Sequence, residues 1–259
     1  AWQLPWTLRS FLDGQGLWQD WDAVNKVALA AAERLQDQNG LGWTHHRMAQ
    51  VSSLSGAIDE GIAHNMRALT HFALAGNTAG QGSACLGLCI ALGRQGNHEA
   101  ALENGERALA LFRTAGDQIG EAFMLHLVGL ELGQLGNADL GQEHCMQAVE
   151  LYGQLDDIGG LSDAWHSLGT LHKQLGEHAD AIACFQQSLM LSAKLGDRWA
   201  QAYCLIYVGD THDAAGDLVA AREAWQHAID MLGDLHHPDA ERIRARLRET
   251  AHPESASKA

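Results

Sequence analysis

The chain has 259 residues, and its 32 acidic and 17 basic side chains give a formal charge of −15. This charge argues against a surface that grips nucleic acid, because affinity for a phosphate backbone needs clustered lysines and arginines. Alanine, leucine, glutamine and glutamate are abundant, and the three prolines all lie near the ends. The composition therefore favours helices throughout and predicts no direct nucleic-acid partner.

The sequence has no signal peptide, no apolar membrane span and no Asn-x-Ser/Thr sequon. An odd number of cysteines occupies positions that are interior to the helices predicted below, and we predict free, buried thiols of the kind found in a reducing compartment. These residues are Cys85, Cys89, Cys145, Cys184 and Cys204. We predict a cytoplasmic protein without a membrane partner. Because the sequence begins with Ala1 rather than methionine, we expect it to be part of a longer polypeptide.

A glycine recurs every forty residues along the chain, with no insertion or deletion between the copies. These glycines are Gly16, Gly56, Gly96, Gly136, Gly176 and Gly216. Each is expected to form the tight turn between two antiparallel helices. The copy over 165–195 resembles a tetratricopeptide (TPR) repeat in the spacing of its large and small residues. The residues that carry this resemblance are Trp165, Leu168, Gly169, Gly176, Ala181 and Phe185.

The period predicts two helices per repeat in chain order. The predicted pairs are 2–14 and 18–36, 39–55 and 58–75, 78–95 and 98–115, 118–135 and 138–155, 158–175 and 178–195, and 198–215 and 218–234. A residue that suits a helix N-cap stands before each new repeat, at Asp37, Asn77, Asp117, Asp157 and Asp197. Pro238 follows at the end of the sixth copy and suits a first helical turn. We therefore predict a closing helix over 238–249 and a disordered tail over 251–259.

The fold class that follows is all-α, a TPR α-solenoid wound as a right-handed superhelix of about six forty-residue repeats with a C-terminal capping helix. The predicted repeats are 1–37, 38–77, 78–117, 118–157, 158–197 and 198–237. Each repeat of a solenoid packs on its neighbours, so one continuous domain over 1–250 is expected. First helices would line a concave face, and second helices a convex one.

Three columns of equivalent positions predict what each repeat packs. A small residue in the second helix marks a close helix approach, at Ala28, Ala68, Ala108, Ala148, Ser188 and Ala228. The next column is aliphatic and predicts the main core stripe, at Leu29, Leu69, Leu109, Val149, Leu189 and Ile229. A first-helix column changes towards glycine, which costs about 1 kcal/mol relative to alanine within a helix. We expect close helix packing to compensate at this column, which contains Arg9, Ala49, Cys89, Gly129, Gly169 and Gly209.

First-helix positions that line the groove of TPR proteins carry aromatic, aliphatic, histidine and charged side chains in this sequence. Large apolar groups on a solvated face indicate a protein or peptide site, and tryptophan and tyrosine are typical anchors. The predicted groove residues are Trp43, His46, Leu86, Ile90, Arg94, Phe123, His126, Leu130, Asp163, His166, Lys173, Tyr203, Ile206 and Asp210. Arg94 and Lys173 could bind carboxylates or backbone of the peptide. Alternatively, some of these side chains fill the space between adjacent first helices.

Catalytic, cofactor and metal sites are not predicted. The sequence contains no Gly-x-x-x-x-Gly-Lys-Ser/Thr loop for a nucleotide and no nucleophile elbow. His46, His126 and His166 share one column, but helices in contact are about 8–10 Å apart, which is marginal for a shared ion. Cys85 and Cys89 do not complete a set of Cys/His ligands.

The two ends of the chain differ from the middle. Four tryptophans near the start predict a surface on which an upstream domain packs, or else rings that pack inside the first repeat; they are Trp2, Trp6, Trp18 and Trp21. The closing helix carries Arg242, Arg244, Arg246 and Arg248, which predicts a solvated capping face or, less favourably, a docking site for an acidic partner.

Three segments resemble the C-terminal TPR region of actinobacterial regulators of the AfsR/SARP type (Streptomyces antibiotic regulatory proteins). These are AWQLPWTLRSFLDGQGLWQDWDAV at the start, LGEHADAIACFQQSL from Leu175, and VGDTHDAAGDLVAAREAWQHAIDMLGDLHHPDAERIRARL over 208–247. In that family the array follows a winged-helix DNA-binding domain, an activation domain and a STAND ATPase module. The resemblance implies a sensor or interaction arm that acts on these domains of the same polypeptide and controls antibiotic biosynthesis. It implies no catalytic residue.

The first hypothesis is therefore a protein- or peptide-binding sensor domain of a bacterial transcription regulator, which uses its concave groove and is not an enzyme. The second is a scaffold for self-association or intramolecular autoinhibition. The third is a stand-alone peptide-pheromone receptor of helical-repeat type, because forty-residue TPR arrays also occur in such receptors.

Overall fold

The computed structural model describes residues 18–232 and 238–251. Within these residues the chain forms twelve α-helices and no strand, which confirms the all-α helical-repeat class. The helices are α1 (Trp18–Leu35), α2 (Gln38–Leu54), α3 (Ile58–Leu74), α4 (Thr78–Arg94), α5 (His98–Ala115), α6 (Gln118–Gln134), α7 (Ala138–Gln154), α8 (Ile158–Gln174), α9 (His178–Leu195), α10 (Arg198–Ala214), α11 (Leu218–Leu232) and α12 (Pro238–Ala251). The predicted helix over 2–14, the side chains of the four N-terminal tryptophans and the tail from residue 252 lie outside what is described.

The helices group into two compact units, Ala1–Met124 and Leu125–Ala259, which we call unit 1 and unit 2. Within each unit, helices that follow one another pack together, and in unit 1 the first helices α2 and α4 also touch. Contacts between successive first helices are expected of a helical repeat. The single continuous domain over 1–250 stays a prediction.

The turns between the helices use left-handed backbone conformations, as the glycine period predicts. Gly56, Gly96, Gly136, Gly176 and Gly216 all have φ between 77° and 84°, and Gly16 lies outside the described residues. A second set of left-handed residues ends the second helices, and it includes two residues that are not glycine. Its members are Gln36, Gly76, Gly116, Asp156 and Gly196.

We expect Asp156→Gly to raise the free energy of unfolding by about 0.5–1 kcal/mol. Asp156 has φ of 53°, a conformation that costs an L-residue about 1–2 kcal/mol, whereas glycine pays only its larger loss of backbone entropy. Urea denaturation followed by circular dichroism measures the change. The reverse substitution Gly196→Asp at the equivalent position should destabilise the chain by a similar amount. A less stable Asp156→Gly variant would contradict the explanation.

The predicted N-caps are confirmed at all five positions. Each side-chain oxygen accepts a hydrogen bond from the backbone N–H three residues later, at distances of 2.8–3.0 Å. Such a cap contributes about 1 kcal/mol. The closing helix begins at Pro238 as predicted.

The predicted column of small residues is also confirmed, because Ala28, Ala68, Ala108, Ala148, Ser188 and Ala228 are all buried. The aliphatic column is not the main core stripe. Only Leu109 and Ile229 of that column are buried, and its other members are half-buried.

Two other columns of the second helices, which we call the early and late columns, are buried in every described repeat. The early column contains Asn25, Asn65, Gly105, Cys145, Phe185 and Trp225. The late column contains Ala32, Phe72, Phe112, Tyr152, Ser192 and Leu232. Every member of both columns is buried, so these columns form the core of the repeats.

The buried aromatic residue does not occupy the same column in every repeat. The second, third and fourth repeats carry it in the late column, as Phe72, Phe112 and Tyr152, whereas the fifth and sixth carry it in the early column, as Phe185 and Trp225. Each of these repeats therefore buries one ring across the two columns. In the fifth repeat the late column holds only a serine.

Glycines opposite the rings make room for them. The pairs are Phe72 with Gly80, Phe112 with Gly120, Tyr152 with Gly160, Phe185 with Gly169 and Trp225 with Gly209, and a Cβ at any of these glycines would overlap its ring. Where the late column has no ring, the residue eight positions later is an alanine, as at Ala200 and Ala240. Gly40, which follows Ala32, is an exception. The predicted close backbone approach explains Gly129, where a Cβ would lie 2.7 Å from the carbonyl oxygen of Gly141.

All five cysteines are free and buried, as predicted. Burial raises the pKa of the Cys145 thiol to about 12 and that of Cys184 to about 11. These thiols therefore stay protonated at neutral pH and serve as packing groups. No helix in the described part of the chain combines the length and the apolar character that a membrane span requires.

Candidate functional site

All the predicted groove residues lie on the first helices α2, α4, α6, α8 and α10. The structure brings two groups of them together around two cavities, one in each unit. The cavity of unit 1 is lined by His46, Leu86, Ile90 and Arg94, and the cavity of unit 2 by His126, Asp163, His166 and Tyr203. We call them the unit 1 pocket and the unit 2 pocket.

The unit 1 pocket has a volume of about 300 Å³ and lies between α2, α3 and α4. A hydrogen-bonded row of side chains crosses its wall: the Gln50 amide nitrogen lies 3.3 Å from Nε2 of His46, and Nδ1 of His46 lies 3.1 Å from Oδ1 of Asn65. An amide nitrogen can only donate, so the proton of His46 is assigned to Nδ1, which donates to Asn65. Arg94 is exposed at the other side and donates to the backbone oxygen of Ser53 at 3.4 Å.

Trp43 packs between His46, which lines the unit 1 pocket, and the core of unit 1. Its ring lies edge-on to Phe72, with centroids 5.0 Å apart, and edge-on to His46 at 5.9 Å. Trp43 also packs on the core cluster of Ala68 and Ala84, so part of its role is to stabilise the packing of the helices. The alternative that some groove residues fill space between helices therefore applies to this ring.

The unit 2 pocket has a volume of about 240 Å³, and its lining includes Ser162, Ser188 and Cys204. The Ser162 hydroxyl lies 3.0 Å from the hydroxyls of both Ser188 and Ser192, and the Cys204 thiol donates to Ser188 at 3.2 Å. All four residues are buried. The sequence did not predict this cluster, because the positions equivalent to its three serines are apolar or glycine in the other described repeats.

Stacked aromatic rings form the outer wall of the unit 2 pocket. The Trp199 and Tyr203 rings are nearly parallel, with centroids 5.1 Å apart and an angle of 12°, and His166 stacks on the other side of Tyr203 at 5.3 Å. Trp199 is 47% exposed. It was missed by the column comparison, although Trp199, Tyr203 and Tyr207 follow the i, i+4, i+8 spacing of one helix face.

Charges around the unit 2 pocket are predominantly negative. Asp163 lines its rim, and burial raises the pKa of that carboxyl, with further increases from the neighbouring carboxylates of Asp157 and Asp197. Burial lowers the pKa of His166 to about 4, so this imidazole is neutral at pH 7. Lys173 lies outside the lining, with Nζ 5.8 Å from the centre of the Tyr207 ring.

Two predicted groove residues of α10 have other structural roles. Ile206 is 1% exposed and packs in the core with Trp225. Asp210 accepts a hydrogen bond from Nε1 of Trp225 at 2.9 Å and pairs with the Arg246 guanidinium. Arg246 also lies 5.6 Å from the Trp225 ring. This arginine therefore fastens the closing helix to the last repeat, whereas the sequence predicted a solvated face.

The two remaining groove residues, Phe123 and Leu130, are half-buried and line neither pocket. Among the described residues, one group could offer several ligand atoms to a metal ion, namely His172, Glu177 and Asp180, whose atoms lie within 4.8 Å of one another. Glu177 already accepts hydrogen bonds from His172 at 2.6 Å and from Gln142 at 3.1 Å. A surface hydrogen-bond network explains this group.

Comparison with known proteins supports the repeat assignment. Residues 160–234 match the tetratricopeptide repeat model, and no curated protein has a significantly similar sequence. Among solved structures, BtubC (BKLC) from P. vanneervenii is 19% identical with a TM-score of 0.69, and the match covers 83% of this chain and 92% of that one. A Rap protein complexed with competence and sporulation factor is 14% identical with a TM-score of 0.68, covering 96% of this chain and 74% of that one.

A third similar structure is a signal transduction ATPase with numerous domains (STAND) from Pyrococcus horikoshii that has a tetratricopeptide repeat sensor. It is 15% identical with a TM-score of 0.73, and the match covers 92% of this chain but 36% of that one. At these identities the likenesses show the fold alone. The narrower resemblance to AfsR/SARP-type regulators stays a prediction. Residues 160–234 thus match the tetratricopeptide repeat model, within a chain whose fold is similar to that of solved TPR structures.

Proposed function

We propose that this chain binds a protein or peptide partner through the exposed surface of its first helices and acts as a regulatory domain rather than an enzyme. The observation that carries the proposal is the convergence of predicted groove columns on two cavities with mixed aromatic, aliphatic and charged walls. Pockets of this composition suit side chains of an extended peptide. The Rap protein complexed with a sporulation factor supports the same class of ligand.

We further propose that the partner signal is passed to ATPase and DNA-binding domains of the same polypeptide, as in the AfsR/SARP-type regulators that three segments resemble. The STAND protein with a TPR sensor supports this arrangement. The regulator would act in the cytoplasm, in keeping with free cysteines that are all buried.

Two other functions have support of their own. The Rap likeness favours a stand-alone peptide receptor. Exposed apolar side chains on the second helices, including Met66, Leu74 and Met146, favour self-association or an autoinhibitory contact. Sedimentation velocity between about 1 and 100 μM separates these two, because self-association makes the sedimentation coefficient depend on concentration.

The test is selection of random twelve-residue peptides on the immobilised chain, followed by affinity measurements on purified variants. Ile90→Asp with Arg94→Ala alters the unit 1 pocket, and Trp199→Ala with Tyr203→Ala alters the unit 2 pocket. A selected peptide is expected to bind the wild-type chain with a Kd on the order of micromolar.

At least one pocket variant should bind that peptide with an affinity at least tenfold lower than that of the wild-type chain. The control carries Met66→Asp with Met146→Asp, which adds polar groups outside both pockets, and it should bind within about twofold of wild type. Failure to select any peptide, or peptides that both pocket variants bind unchanged, would overturn the proposal. Circular dichroism of each variant must match the wild-type spectrum.

A further inference from the structure

The unit 2 pocket occupies a place that an aromatic ring fills in an earlier repeat. In the second repeat the Phe72 ring lies against Gly42 and Gly80. The positions equivalent to these three residues in the fifth repeat are Ser192, Ser162 and Ala200. Ser162 and Ala200 line the pocket, and the Ser162 hydroxyl contacts Ser192. The cavity therefore exists because the fifth repeat carries its ring in the early column, as Phe185.

The chemistry of the walls is that of a site for a planar cation. The Tyr203 ring lies between Trp199 and His166. The open π-face is therefore that of Trp199, which is 47% exposed and onto which a guanidinium packs favourably. The rim carries Asp163, and the other charged groups that shift its pKa are the carboxylates of Asp157 and Asp197. A carboxylate pairs with a guanidinium through charge-assisted hydrogen bonds.

The serine hydroxyls of the lining already have partners: Ser162 donates to the backbone oxygen of Ser188 at 3.1 Å, and the Cys204 thiol donates to the Ser188 hydroxyl at 3.2 Å. The groups left for a guanidinium are therefore the Asp163 carboxylate and the Trp199 ring. The neutral His166 beside Tyr203 places no positive charge in the wall. The formal charge of −15 on the chain also attracts a basic peptide.

We propose that the unit 2 pocket binds the guanidinium of an arginine side chain, stacked on Trp199 and paired with Asp163. This inference rests on the proposed peptide-binding function and names one side chain that the peptide must carry. It assigns Trp199, which the groove columns did not include, as the principal contact. A serine in place of an aromatic residue at position 192 is the substitution that opens the site.

The experiment titrates the isotope-labelled chain with N-acetyl-L-arginine amide and follows backbone amide signals by NMR. The matched probe is N-acetyl-L-citrulline amide, which has nearly the same shape but no charge, and N-acetyl-L-lysine amide tests the need for a planar cation. We expect saturable shifts over 162–167 and 199–204, with a Kd on the order of 1 mM for so small a ligand. Citrulline and lysine amides should bind at least tenfold more weakly.

Two variants locate the binding. Asp163→Asn keeps the shape of the rim and should lower the affinity for arginine amide by about tenfold. Asp139 is an exposed residue of α7 outside the pocket, and Asp139→Asn should leave the affinity unchanged. The triple variant Ser162→Gly, Ser192→Phe and Ala200→Gly recreates the arrangement of Gly42, Phe72 and Gly80. It should fold with a ring inside the pocket and bind no arginine amide.

Equal affinity for arginine and citrulline amides, saturable shifts outside the pocket, or an absence of saturation would each overturn the inference. Retained binding in the folded triple variant would do the same. Peptides that bind without any need for arginine would leave the proposed function intact and reject this inference. Arginine amide binding without any selected peptide would reject the proposed function alone.

Discussion

Gly160→Ala is expected to lower the free energy of unfolding by about 2 kcal/mol, even though alanine is normally the better helix former. Gly160 lies in the first turn of α8, and a Cβ there would overlap the ring of Tyr152. Tyr152 is 1% exposed, so its ring has little space into which it can move. Chemical denaturation followed by circular dichroism measures the loss.

A double-mutant cycle tests whether the ring is the cause. Tyr152→Leu reproduces the late-column leucine of the sixth repeat, where Leu232 is followed by Ala240. In that background Gly160→Ala should be neutral or slightly stabilising, which gives a coupling free energy of about 2 kcal/mol or more.

Gly153→Ala is the matched control for helix propensity, because no atom lies within 4 Å of a Cβ built on Gly153. It should stabilise α7 by up to about 1 kcal/mol. An equal loss from Gly160→Ala in the wild-type and Tyr152→Leu backgrounds would show that the ring and the glycine are not coupled.

Acidification is expected to weaken the fold between about pH 6.5 and pH 4 through two histidines. Burial, together with the adjacent His64 and His71, lowers the pKa of His45 to about 4. The rings of both neighbours stack on His45, with centroids 5.3 Å and 5.6 Å away. In unit 2, burial lowers the pKa of His166 to a similar value.

Stability falls with decreasing pH because the unfolded chain binds protons more readily than the folded chain. An unfolded chain takes up a proton on each histidine near the ordinary pKa of 6.5, whereas the folded chain does so only near 4. Stability from these groups is therefore fully present above pH 6.5 and falls as the pH drops towards 4. Each histidine can contribute a slope of at most about 1.4 kcal/mol per pH unit.

The measurement compares urea denaturation from pH 7.5 to pH 4.5 in wild type, His45→Gln and His166→Gln. Each variant should show a shallower loss of stability with falling pH than the wild-type chain. Contributions from other titrating groups, including the raised pKa of Asp163, cancel in this comparison. If the free energy of unfolding depends on pH in both variants as it does in the wild type, neither histidine controls the loss of stability in acid.

Local sequence signals predicted the helices, turns and caps because those structures depend on residues close together in the chain. The left-handed turn at Gly176 needs a residue without a Cβ penalty, and the cap at Asp157 needs only the N–H of Gly160 three residues later. A period of forty residues without insertions repeats each signal in register, so the helix bounds follow to within one or two residues.

The sequence did not rank the columns of the core, because positions three, four and seven apart in a helix share one face. Leu189 and Ser192 are such neighbours, yet the leucine is half-buried and the serine is buried. Which of them is covered depends on the adjacent helices. The same dependence gives Asp210 a structural partner that the sequence did not predict, since the closing helix brings Arg246 against it.

The sequence by itself determined the helical repeat, its turns and its caps. Only the tertiary structure decided where the rings go and where they leave space. A ring at Tyr152 or Phe185 excludes a Cβ on a different helix, and that exclusion depends on distances between helices rather than on any local preference. The unit 2 pocket is the consequence, since it forms where Ser192 contributes no ring.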